Sequence, residues 1–174
     1  MADGERGAIL IEAAFVFPIL VMLLIGLVEF GEVFAVDRKL TNAASTVSDL
    51  VAQLAEVSTG DLSDIARVAD EIIKPYVTTN MGMIVSSIET DGQGAVTVGW
   101  SYAHGAGVNA HMPGASFALP AGLKENNSSI IVAETFYQFT PGVALFLTGT
   151  ITLSGEAFFR PRLSSTVVLK DEES

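Results

Sequence analysis

Hydrophobic residues dominate the start of the chain. From Ala8 to Val28 they form a nearly continuous run of about 21 residues, which as an α-helix would be roughly 31 Å long, enough to cross a bilayer. Pro18 lies inside this run, where it frees the carbonyl of Ala14 and predicts a kink. One carboxylate, Glu12, interrupts the run, and a purely apolar span does not explain its presence.

Beyond this run, apolar positions recur at spacings of three and four residues. The pattern predicts that the same helix continues for roughly three more heptads. We expect this stripe to pack either on the protein's own folded domain or against helices of neighbouring subunits. The stripe consists of Val36, Leu40, Ala43, Val47, Leu50 and Leu54.

A second helix is predicted after a break at residues 58–60. Asp61 is the expected N-cap, Lys74 falls in the last turn and Pro75 is the expected stop. We interpret the carboxylates of this helix as caps and a solvated face rather than as a metal cluster. Its expected apolar face comprises Leu62, Ile65, Val68, Ala69 and Ile72.

The hydrophobic period then changes to the alternation typical of β-strands. Strands are predicted at residues 83–89, 95–102, 130–139 and 150–159. The first two are separated by a turn with an Asp91-Gly92 step. In the second strand, one face is expected to carry Val96, Val98, Trp100 and Tyr102.

Two connections and the overall class follow from this pattern. Residues 103–129 form a loop of a length that is usually functional or mobile. Residues 143–147 are expected to form either a short helix or an apolar loop. The predicted fold class is α+β, with a long N-terminal helix that continues into a small domain containing a second helix and an antiparallel sheet of about four strands.

The composition excludes several kinds of function. The chain has no cysteine, which rules out disulfides, zinc–thiolate sites and cysteine nucleophiles. Its formal net charge of −11 disfavours nucleic-acid binding, which requires cations that neutralise phosphates. There is no Gly-x-Ser-x-Gly elbow, phosphate loop or pair of catalytic carboxylates. His104 and His111 are expected to be solvent-exposed in the long loop, so we expect no enzyme activity, catalytic residue, metal or cofactor.

Three hypotheses compete for the N-terminal segment. A secretory signal peptide would be cut after the Val33-Phe34-Ala35 sequence, and a plain single-span anchor would remain uncut. A prepilin-type leader would be cut after Gly7, which would give Ala8 a free amine one helical turn from Glu12. Only the third accounts for Arg6, Gly7, Ala8 and Glu12 together, because the new amine would neutralise the acid within the span.

The chain resembles a TadE-like pseudopilin of the tight-adherence (Tad/Flp, type IVc) pilus assembly system. The resemblance begins with RGAILIEAAFVFPILVMLLIGLVEFGEVF and AASTVSDLVA, and it extends to LPAGLKENNSSIIVAETFYQFTPG and the terminal FFRPRLS. Two features depart from the major pilin of such systems. Ala13 stands where that pilin has an aromatic residue, and the chain is larger than that small helical peptide. An accessory subunit therefore fits better than the bulk of the filament.

The resemblance implies four segments. Residues 1–7 would be a leader, with Gly7 and Ala8 flanking the prepilin peptidase cleavage site. Residues 8–35 would be the transmembrane helix, in which Glu12 would set subunit register and Pro18 a kink. Residues 36–170 would be a pilin-like extracytoplasmic domain, and residues 171–174 an acidic tail.

The resemblance also implies partners and a location. The chain would lie in the cytoplasmic (inner) membrane as a single-pass protein with a cytoplasmic N-terminus. Its partners would be the prepilin peptidase, the major Flp-type pilin, a second pseudopilin, inner-membrane platform proteins and the lipid bilayer, in a system that serves adhesion and biofilm formation. The alternatives are a membrane-tethered domain that recognises a ligand or surface through residues 103–129, and an exported soluble adhesin.

Overall fold

The structure is a computed structural model that describes residues 2–170, with side chains from residue 10 onward. The predicted acidic tail, residues 171–174, lies outside the described residues. The predicted α+β class is confirmed, with one long helix, a second helix and a four-stranded antiparallel sheet. In chain order the elements are α1 (Ala2–Ala52), β1 (Glu56–Ser58), α2 (Thr59–Ile73), β2 (Met81–Thr90), β3 (Val96–Gly105), β4 (Ser128–Phe139), β5 (Ile151–Phe159) and β6 (Val168–Lys170).

Within the described residues, α1 is the one helix long and apolar enough to cross a membrane. The chain divides into two compact units. The first contains the residues up to Ala35 together with Phe139–Ile151, and the second contains Val36–Gln138 and the residues from Thr152 onward. We refer to them as the span unit and the sheet unit.

In the sheet unit, the sheet has the strand order β3-β2-β4-β5. The C-terminal part of α1 packs on one face of this sheet, which is one of the two alternatives that its sequence stripe left open. Leu50 is only half-buried, and Val51 is fully buried instead, because a helix of 3.6 residues per turn drifts away from a strict heptad. The fully buried apolar residues of this part of α1 are Val36, Leu40, Ala43, Ala44, Val47, Val51 and Ala52.

A polar contact fixes this packing at the centre of the helix. The Thr135 hydroxyl oxygen lies 3.1 Å from the carbonyl oxygen of Leu40 in α1 and 3.1 Å from that of Gly155 in β5. Thr135 is itself fully buried. The single hydroxyl hydrogen is therefore shared between, or donated to one of, two carbonyls at the point where helix and strands meet.

The start of α2 differs from the prediction. The N-cap is Ser58 rather than Asp61, because the Ser58 hydroxyl accepts from the Asp61 N–H at 3.1 Å while the Asp61 carboxylate accepts from the Ser58 N–H at 3.0 Å. These bonds to Ser58 lower the pKa of Asp61. The buried face is also rotated from the predicted one, and it consists of Leu62, Ala66, Ala69 and Ile73.

A β-bulge makes the predicted single face of β3 wrong. Trp100 pairs with Ser87, but Val98 pairs with the next residue, Ile88, so Gly99 has no partner. Since neighbouring residues of a strand point to opposite faces, Val98 and Trp100 lie on different faces of the sheet. Trp100 is buried, and its indole N–H donates to the Val167 carbonyl at 2.7 Å.

The long loop between β3 and β4 is a packed cover rather than a free segment. Phe117, Leu119 and Leu123 of this loop pack on the apolar cluster formed by the strands on the sheet face opposite α1. The loop also extends the sheet edge, because the Val98 N–H donates to Ala115 and the Gly114 N–H donates to Val98. The sequence analysis also did not predict β1 and β6, which pair with each other as parallel strands.

Candidate assembly and anchoring site

The predicted site residues all lie on α1. Gly7 and Ala8 are within its bounds, but their side chains precede the described ones, and the cleavage site remains a prediction. Pro18 lies inside the same helix. Glu12 is exposed, and its neighbours Ile11 and Phe15 are exposed as well.

An apolar surface surrounds Glu12. Large side chains of α1 are exposed from Leu10 to Phe34, with fractions that reach 74 % at Phe15. Soluble monomers rarely expose an apolar surface that extends so far. A surface of this kind is typical of a helix that lipid or another helical subunit covers.

Two of the three carboxylates within this part of α1, those of Glu12 and Glu29, have different environments. No group in the described part of the chain bonds to the Glu12 carboxylate. In contrast, Glu29 is only 2 % exposed, and it accepts three consecutive backbone N–H groups. Those of Leu145, Phe146 and Leu147 donate to it at 2.7, 3.0 and 3.0 Å.

Gly26 completes the contact around Glu29 in the span unit. A Cβ atom built on Gly26 would lie 3.1 Å from the Phe146 ring, so the missing side chain lets the ring approach the helix. Sequence reasoning missed the pairing of this helical turn with residues 145–147. Glu29 was visible as a second acid near the end of the run, but its partners lie more than a hundred residues further along the chain.

The two histidines of the sheet unit are not simply solvent-exposed, which corrects the prediction. His104 Nε2 lies 3.0 Å from an Asp70 carboxylate oxygen, and His111 Nε2 lies 2.6 Å from Glu134. Each ring is about one-third exposed. Within the described residues, no three His, Asp or Glu side chains converge as metal ligands would.

Glu156 lies near Glu134 and lines the same small cavity of about 190 Å³. Partial burial of Glu156, followed by repulsion from Glu134, raises the pKa of the Glu156 carboxyl. At a pH above the unfolded-state pKa of Glu156, ionising this carboxyl is therefore less favourable in the folded chain than in the unfolded chain, which lowers the free energy of unfolding. The penalty develops as the pH rises through the folded pKa.

We expect Glu156→Gln to raise the free energy of unfolding at neutral pH, by less than about 1 kcal/mol because water screens this partly exposed group. The gain should vanish at a pH below the ordinary glutamate pKa, where both states are protonated. Urea denaturation at both pH values, followed by Trp100 fluorescence, measures the difference. A gain of equal size at both pH values would contradict the assignment to charge.

Comparison with known proteins bears on the N-terminal part of the chain. No curated protein and no solved structure gives a match. The family model described as "TadE-like protein" matches residues 7–49, which include Gly7, Ala8, Glu12 and the exposed part of α1. The sequence resemblance is thereby confirmed over that range. Residues 7–49 are a TadE-like segment, which points to a component related to the Tad pilus with a helix able to span a membrane.

Proposed function

We propose that this chain is a minor pseudopilin, a structural and assembly component of a Tad (Flp, type IVc) pilus. In this role α1 anchors it in the cytoplasmic membrane, with the N-terminus in the cytoplasm and the sheet unit outside. A prepilin peptidase removes residues 1–7. Its further partners are the major pilin, a second pseudopilin and the membrane platform, and the role involves no catalysis by this chain.

The observation that carries the proposal is the contrast between Glu12 and Glu29. Glu29 is satisfied by its own chain, whereas Glu12 has no partner within the described residues and lies in the apolar surface of α1. An unpaired acid costs about 2.5–3.5 kcal/mol on insertion scales at the centre of a span, and a smaller amount near the start of the span, where Glu12 lies. A cation that arises on processing, or that another subunit supplies, therefore explains why the acid is tolerated.

The amine released at Ala8 provides that partner in the proposed mechanism. Ala8 precedes Glu12 by four residues, or about one helical turn, so the free main-chain amine would lie about one turn from the carboxylate. Either the same subunit or its neighbour supplies the cation. Pairing reduces the desolvation cost of both charges and fixes the axial register between subunits, while the sheet unit determines which partner is accepted.

One observation favours a second candidate, a membrane-tethered binding domain. A cavity of about 310 Å³ in the sheet unit is lined by the start of the long loop, including Gly107, Val108 and Asn109, together with Ile84 and Phe136. This volume is at the lower end of the range for small-molecule sites. The tethered domain requires neither cleavage after Gly7 nor a role for Glu12, so the two candidates differ in what they predict.

The test is the intact mass and N-terminal peptide of the protein purified from its native membrane. We expect the chain to start at Ala8, and we expect the uncut precursor to accumulate in a strain without the prepilin peptidase. A start at Met1 in a strain that has the peptidase would remove the processing step and favour the tethered domain. A start at Val36 would indicate an exported soluble protein and overturn the pilus role.

A further inference from the structure

Residues 140–150 connect β4 to β5 and belong to the span unit; we call this segment the apolar loop. It contains no charged residue in eleven positions, and its sequence is TPGVALFLTGT. Its apolar side chains are nevertheless exposed, with Val143 at 61 %, Leu145 at 47 % and Phe146 at 45 %. A loop in contact with water is usually rich in polar residues, so this composition requires another explanation.

The apolar loop is fixed to α1 by contacts within the span unit. Glu29 accepts the three successive N–H groups of residues 145–147, and the Phe146 ring packs at Gly26. Ala144, just before these donors, has a φ of 54°, a left-handed conformation that alanine seldom adopts. The conformation is therefore held by the surrounding contacts rather than by local preference.

Part of the loop's backbone polarity is satisfied by α1, which suits a position at the headgroup level, where water and headgroups can bond to the remaining N–H groups. Backbone N–H groups in hydrocarbon must find internal partners, and Glu29 supplies partners for three in a row. Only at the two ends of the loop do side-chain hydroxyls pair, where Thr140 and Thr150 approach to 3.1 Å. The exposed side chains of the apolar loop carry no charge, and its hydrogen bonds lie against Glu29 and at the two ends of the loop.

The position of the loop along α1 also matches a membrane boundary. Glu29 lies 21 residues after Ala8, a rise of about 31 Å in a helix, against a hydrocarbon core of about 30 Å. The neighbouring helical residues Leu27, Val28 and Phe30 are exposed apolar side chains like those of the loop. The loop and residues 27–30 of the helix thus form parts of one uncharged surface, apart from the covered carboxylate of Glu29, and the exposed carboxylate of Glu32 follows about one helical turn later.

We propose that the apolar loop is a second membrane anchor, which inserts Val143, Leu145 and Phe146 into the outer leaflet beside α1. The ligand is the phospholipid bilayer, at the depth where acyl chains meet headgroups. The inference rests on the proposed function only in that α1 spans the membrane. It adds a contact that would limit rotation and tilt of the span and hold the start of β5 at the membrane surface.

Because the chain lacks cysteine, single labels test this directly on the full-length protein. Val143→Cys, Leu20→Cys and Met112→Cys are each labelled with an environment-sensitive fluorophore. The proteins are reconstituted into phosphatidylethanolamine–phosphatidylglycerol vesicles at a protein density low enough for isolated chains. Quenching by doxyl phospholipids reports lipid contact, and quenching by iodide reports water contact.

We expect the label at residue 143 to be quenched several-fold more strongly by the doxyl lipid than by iodide, as at residue 20. The label at residue 112, on a side chain that is 79 % exposed in the sheet unit, should show the opposite preference. Iodide quenching at residue 143 equal to that at residue 112, with residue 20 still in lipid, would overturn the second anchor but leave the span intact. Protection of residue 143 that arises only at high protein density would assign the loop to a second copy and overturn the lipid contact.

A second variant tests the contact with Glu29. Glu29→Gln replaces one acceptor oxygen by an amide group that cannot accept the loop N–H groups. We expect the label at residue 143 to become more accessible to iodide while the label at residue 20 is unchanged. Unchanged quenching at both positions would show that Glu29 does not hold the loop in the bilayer.

Discussion

Cells in which Glu12→Gln replaces the wild-type protein should insert the chain into the membrane normally but display few or no pili. Glutamine is less costly than a carboxylate in a bilayer, so insertion should not suffer. The charge that pairs with the Ala8 amine is lost, however, and an unpaired amine remains in a low-dielectric environment. Removing one partner of a buried ion pair costs about 3–5 kcal/mol, which corresponds to more than about a hundredfold in an assembly equilibrium.

The matched control is Glu32→Gln, the same chemical change on an exposed glutamate further along α1. Pili are counted by electron microscopy, and the membrane fraction is blotted for each variant. The control should form pili at the wild-type level. Normal pili from Glu12→Gln would refute the register role, and equal loss from both variants would indicate that total charge, rather than the position of Glu12, is what assembly requires.

Much of the fold could be predicted from the sequence because its signals are local. The apolar run, the seam that follows it and the alternating strands are all patterns within short windows. The predicted strands agree with β2, β3, β4 and β5 to within a few residues at each end. The stripe of apolar residues after the span packs on the protein's own sheet, since its buried residues and that sheet belong to the same unit.

The errors arose where two local signals competed. At the start of α2, Ser58 and Asp61 are both good N-caps, and only the reciprocal bonds show that Ser58 caps while Asp61 returns a bond from the first turn. In β3, the alternation of apolar residues through Trp100 looked like one face. The bulge at Gly99 shifts the register by one residue, which a period-two pattern does not reveal.

The part of the candidate site that escaped prediction depends on contacts between distant residues. The partners of Glu29 are 116 to 118 positions away, and His111 and Glu134 come from the long loop and β4. No periodicity links such residues, because their proximity depends on how the chain returns to α1 and to the sheet. Glu12 was predictable for the opposite reason: an acid in an apolar run is visible without any knowledge of the fold.

A substitution at Gly155 should destabilise the sheet unit where α1 packs on β5. A Cβ atom at this position would lie 2.7 Å from the Thr41 backbone nitrogen and 2.8 Å from the Leu40 carbonyl carbon. Both are helix backbone atoms, which cannot rotate away as a side chain would. Gly155→Ala should therefore push α1 off the sheet, at a cost in unfolding free energy of about 1–3 kcal/mol or more.

The Thr135 hydroxyl adds to this cost, because it lies 2.9 Å from the same Cβ position and bonds the carbonyls on either side of the junction. If the helix moves, the hydroxyl loses the Leu40 carbonyl and keeps only the Gly155 carbonyl, so the added cost is below the roughly 1–3 kcal/mol of a buried polar group left without any partner. Gly122→Ala is the matched control, since a Cβ there meets no atom within 4 Å. It should leave the midpoint of urea denaturation unchanged, as followed by the fluorescence of Trp100.

Trp100 suits this measurement because it is the only tryptophan and is buried in the sheet unit, with its indole bonded to Val167. The full-length chain in detergent is used for all three proteins, so the span is the same in each. A midpoint for Gly155→Ala equal to that of Gly122→Ala would mean that α1 does not approach β5 so closely. A large decrease in the midpoint for Gly155→Ala alone would show that the close backbone contact between α1 and β5 at this glycine stabilises the packing of the helix on the sheet.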